Sequence, residues 1–129
     1  MKNHLIKEFA QETLGCGCPE EVFSHIEHSK GKRLKGGLVL RDRIVIGKRL
    51  LVYVYESADG EGIQDSVIRV LLTAGVRERD KNGFNRFRIA LLTKDPAGDR
   101  DLSERAAQVI GEFDDRTFVH TIARDSISF

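Results

Sequence analysis

Leu50-Leu51-Val52-Tyr53-Val54-Tyr55 is apolar at both alternating positions, the pattern of a strand buried on both faces in the middle of a sheet. Toward the N-terminus, Leu38–Leu40 and Ile44–Ile46 are short apolar runs. Gly47-Lys48 reads as a hairpin turn, which makes the preceding run an antiparallel neighbour of the central strand. Toward the C-terminus, Asp59, Gly60 and Gly62 break the strand. Ile63, Val67, Val70, Leu71 and Ala74 then recur at helical spacing to about residue 79.

A strand follows over 84–93, with Phe87, Ile89 and Leu91 on one face. Beyond the Asp95-Pro96-Ala97-Gly98 loop, Ser103 is placed to cap a helix that turns Ala106, Val109, Ile110 and Phe113 inward, with Leu102 as the apolar residue before the cap. Thr117–Ile122 reads as a last strand. At the other end, Leu5, Ile6, Phe9, Ala10 and Thr13 mark an amphipathic helix over 3–14, stopped by Gly15 and Gly17. Pro19, Glu20 and Glu21 suit the start of a second helix that buries Val22, Phe23 and Ile26. The expected architecture is α/β: a small single domain spanning 1–129, with a mixed sheet of about four to five strands, βαβ crossovers and two N-terminal helices.

The chain has 129 residues, 40% of them hydrophobic and 32% charged, with a formal net charge of +1. That composition supports a packed core and excludes a disordered chain. It holds no apolar run long enough to span a bilayer and no signal-like start, so a cytoplasmic location and no membrane partner are expected. The near-zero net charge hides an uneven distribution. Between residues 30 and 49, Lys30, Lys32, Arg33, Lys35, Arg41, Arg43, Lys48 and Arg49 face Asp42 alone, a local net of +7 that leaves the remainder at −6.

Lys30, Lys32, Arg33 and Lys35 are the candidate anion-binding residues, because ammonium and guanidinium groups in a glycine-bearing loop can wrap phosphate. The loop is not a Walker sequence, and no aromatic residue is interleaved to stack bases. Nucleic acid is therefore weighed below a solvated loop with lysines that guard a sheet edge. The strand ends carry Glu56, Ser57, Asp59, Lys94, Asp95, Arg124 and Asp125. Carboxylates converging there could hold Mg²⁺ and a phosphate-bearing substrate, but aspartates in turn sequences more commonly bond their own backbone. His120 shares a face with Phe118 and Ile122 and reads as a hydrogen-bonded core or edge residue rather than a base. No complete catalytic constellation can be written, which favours a small binding or interaction module over an enzyme. The helices near the N-terminus are the expected support for a homodimer.

Cys16 and Cys18 are the only cysteines. At a helix start, backbone N–H groups and the helix dipole favour thiolate, so the pair is the candidate redox or soft-metal site. Two thiols do not complete a four-ligand site, and His25, about 10 Å farther along a helix, is too distant. Zinc or an iron–sulfur cluster would need ligands from a second chain. The competing reading makes Cys16 a buried packing residue and Cys18 a cap. The block Glu12-Thr13-Leu14-Gly15-Cys16-Gly17-Cys18-Pro19-Glu20-Glu21-Val22-Phe23 resembles one found near the start of a family of small uncharacterised prokaryotic proteins. The resemblance covers about a tenth of the chain and implies no activity. What it implies is that Cys16, Cys18 and Pro19 are positions to examine.

Overall fold

In the computed structural model, residues 3–15, 20–34, 37–56, 63–94, 100–112, 116–127 and 129 are described. Five strands form one mixed sheet in the order β1-β2-β3-β4-β5: Ile26–Arg33, Val39–Ile46, Leu50–Glu56, Arg86–Thr93 and Thr117–Ala123. The first three are antiparallel neighbours, and β4 and β5 then run parallel to β3. Helix α1 spans Asn3–Glu8 and continues into a π-helical turn, Phe9–Thr13. Helix α2, Asp65–Asn82, lies between β3 and β4 in the chain, and α3, Arg100–Gly111, between β4 and β5. Among the described residues no helix is long and apolar enough to cross a membrane.

Both faces of the sheet are covered, which is why β3 reads as apolar at every position. On one face, Ile68, Leu71 and Leu72 of α2 and Leu102, Ala106 and Val109 of α3 pack on Leu51, Tyr53, Phe87, Ile89 and Leu91. On the other, Ile6, Phe9, Ala10 and Leu14 join Val22 and Phe129 over Ile44, Val52, Val54, Ala90, Leu92 and Ile122. Arg105 of α3 ties the two helices together, donating from Nη1 to the Ile63 carbonyl at 3.0 Å and to Asp65 at 2.9 Å. α2 ends at Gly83, where the Phe84 N–H bonds back to the Arg79 carbonyl at 2.9 Å.

The N-terminal half departs from expectation. Only a 3₁₀ helix, Glu20–Ser24, stands where a second helix was predicted, and the chain is extended from Ile26 onward. The Gly47 N–H bonds the His25 carbonyl at 2.7 Å, and β1 then pairs residue by residue with β2 from Ile26↔Ile46 to Arg33↔Val39. This edge strand buries little, so its sequence carries no apolar alternation to announce it. Its lysines occupy the sheet edge, where charge discourages pairing with another chain. α3 starts at Arg100, so Ser103 lies inside the helix rather than at its cap; its hydroxyl meets that of Thr121 at 2.8 Å. Leu102, expected to precede the cap, is buried in the core as part of α3. The inward position expected for Phe113 lies outside the described residues.

Candidate anion-binding groove

Arg69, Thr73, Arg77 and Lys81 recur every four residues along α2 and therefore form one stripe on its outer side. At 1.5 Å per residue the stripe is about 18 Å long. The opposite side of the helix buries Ile68, Leu71, Leu72, Gly75 and Arg79, which fixes the stripe toward solvent. Across from it, Lys32, Arg33 and Leu34 form the second wall of a groove of about 670 Å³. Tyr53, Val70 and Ala74 also line this groove, giving it apolar surface between charged walls.

The charge balance of the groove is set by Glu78, the one carboxylate that lines it among the described residues. Arg43 donates to Glu78 from Nε at 2.7 Å and from Nη2, and the Tyr53 hydroxyl donates to its other oxygen. Burial works to raise the Glu78 pKa, but the hydrogen bonds from Arg43 and Tyr53 outweigh it and hold the carboxyl below its ordinary range. Burial first, and then the bond to Glu78, push the Tyr53 phenol well above its ordinary value. Glu78 thus stays ionised and is neutralised by Arg43, so it does not discharge the walls. Arg69 pairs with Glu112 at 2.6 Å. Among the described residues, Lys32, Arg33, Arg77 and Lys81 have no carboxylate in ion-pair range, and all four are exposed.

The basic segment 30–49 is not one patch. Lys32 and Arg33 enter the groove, whereas Lys30 lies 3.8 Å from the fully buried Asp42. Between them Gly31 takes φ +67°, a left-handed conformation readily open to glycine, and the flanking lysines go to different surroundings. Arg41 binds Asp42 and the Phe129 carbonyl, the latter at 2.8 Å; Lys48 and Arg49 sit in the β2–β3 turn. Lys35 lies outside the described residues. Sequence reasoning missed Arg69, Arg77 and Lys81. Their signal was the four-residue spacing of the polar side of α2, a helix read only for its apolar side.

Cys16 and Cys18 lie outside the described residues, as do Ser57, Asp59 and Asp95. Glu56, at the end of β3, meets Arg124 at 3.2 Å as an ion pair. No three His, Cys, Asp or Glu side chains among the described residues gather as a metal set. His28 belongs to β1 and contacts Asp42 at 2.6 Å; with Arg41 it forms the polar seat of Phe129, whose ring meets His28 edge-on at 5.7 Å. Neither a family model, a curated protein nor a solved structure matches the chain.

Proposed function

We propose that the chain is a small binding module whose ligand is a polyanion, a nucleic acid strand being the class that best fits the groove between α2 and β1. One observation carries the reading: four exposed cations that form no ion pair with a described carboxylate, Lys32, Arg33, Arg77 and Lys81, converge from two elements on a groove whose Glu78 is already neutralised by Arg43. The stripe, about 18 Å long, can follow several consecutive phosphates of one strand. The apolar stretch formed by Val70, Ala74 and Leu34 offers a surface for sugars or base faces between the phosphate contacts. Attraction to the phosphates supplies affinity through counterion release, and no base-specific readout is required.

Amide chemical shifts followed during titration with a single-stranded oligonucleotide test the assignment. The expected shifts gather over 69–82 and 32–34, with the β2–β3 turn at 47–49 unaffected. Shifts centred on that turn, or none at low salt, would remove the groove from consideration.

A further inference from the structure

On the opposite face of the sheet, β4 and β5 hold a second cationic cluster that the groove does not use. Arg88 and Phe118 are cross-strand partners, and Arg86 lies two residues from Arg88 on the same strand. The Arg88 guanidinium sits 4.8 Å from the centre of the Phe118 ring and that of Arg86 5.9 Å from it. Phe118 is among the few large apolar side chains left exposed, at 36%. Arg88 Nη1 donates to the Leu14 carbonyl at 2.7 Å and to His120 Nε2 at 3.0 Å, where the imidazole must be the acceptor because guanidinium has no lone pair to offer. Arg88 Nε is buried and makes no hydrogen bond. Among the described residues no carboxylate lies in ion-pair range of either arginine.

We propose that Arg86 and Arg88, held against Phe118, form a second site that takes the phosphate group of a small ligand. A desolvated guanidinium without a counter-charge is costly, and a neighbouring guanidinium adds to the cost. Burial, with Arg86 second, accordingly holds Arg88 below the ordinary arginine pKa. The Leu14 carbonyl and His120 occupy Nη1 and Nε is enclosed, which leaves Nη2 of Arg88, beside the Arg86 guanidinium, to donate to an oxyanion. Two guanidiniums match a dianion, so phosphate is favoured over a carboxylate, which would neutralise only one of them. Stacking on Phe118 holds the Arg88 guanidinium in place before the ligand arrives.

His120 supplies a local reporter. Burial first, and then Arg88, lower its pKa to about 4. Neutralising Arg88 with an anion therefore raises it. The experiment follows the Arg88 Nε–H and His120 ring resonances during titration with inorganic phosphate, acetate or chloride at matched ionic strength. Phosphate is expected to give saturable shifts and an upward move of the His120 titration, with acetate and chloride giving neither. Arg88→Lys keeps a cation but loses the planar guanidinium that is anchored on the Leu14 carbonyl and Phe118 while presenting Nη2, and abolishes saturation; Arg86→Gln, at an exposed position that leaves folding intact, weakens binding about tenfold. Arg77→Ala with Lys81→Ala, in the groove, leaves these shifts unchanged, which separates the two sites. Equal shifts with acetate, no saturation with phosphate, or saturation that survives both Arg88→Lys and Arg86→Gln would overturn the proposal.

Discussion

Gly75→Ala is expected to lower the free energy of unfolding by about 3 kcal/mol, although alanine is the better helix former by about 1 kcal/mol. At Gly75 the α2 backbone lies directly against the sheet: a Cβ there would overlap the ring of Phe87. Phe87 is fully buried, and Tyr53 meets it edge-on with ring centres 4.8 Å apart. Tyr53 is itself tied to Glu78 on α2, so the ring cannot retreat without disturbing the groove. The methyl must therefore push α2 outward. Gly111→Ala is the control, since nothing lies within 4 Å of a Cβ at that position. Denaturant unfolding of the two variants should give opposite outcomes, with Gly75→Ala losing stability and Gly111→Ala unchanged or slightly more stable. A stabilised Gly75→Ala would mean that the helix does not pack on Phe87 as described.

Reversing the stripe gives the largest expected effect on binding. Arg77→Glu with Lys81→Glu replaces two cations that form no ion pair among the described residues by anions on the groove wall, and oligonucleotide affinity should fall by about a hundredfold or more at moderate salt. The cost to folding is small by comparison. Both side chains are exposed, and the main penalty is acidic charge in the last turns of α2, near the negative end of its dipole, worth about 0.5–1 kcal/mol each. Thermal melting run beside fluorescence anisotropy distinguishes the two effects. A variant that melts nearly as the parent chain does and still binds with parental affinity would contradict the groove assignment.

The contrast between β3 and β1 shows what the sequence could and could not reveal. Leu50–Tyr55 announced a strand covered on both sides, because burial on two faces leaves no polar position to confuse with a helix or a turn. Ile26–Arg33 announced nothing of the kind. It is the edge strand, mostly exposed, and it is held by backbone pairing to β2 rather than by an apolar face, so its lysines and Gly31 read as a loop. The groove was hidden for a related reason. Lys32 and Arg33 were visible as charge, but their partners lie on α2, more than 35 residues away in sequence, and only the folding of that helix onto the sheet brings the two walls together. The same folding divides the basic segment, sending Lys30 and Arg41 to the buried Asp42 and Arg43 to Glu78. Local charge density is legible in a sequence; which charges are already neutralised is a property of tertiary contacts.

The dependence of oligonucleotide affinity on salt tests the polyanion reading most directly. Each cation that releases a counterion from a single strand contributes about 0.7 to the slope of log K against log salt, so four contacts predict a slope of about −3. In Arg77→Ala with Lys81→Ala, two contacts are lost, and the slope should flatten to about −1.4. A slope near −3 that flattens in the double variant is the predicted result; a slope near zero, or one that the double variant leaves unchanged, would contradict it.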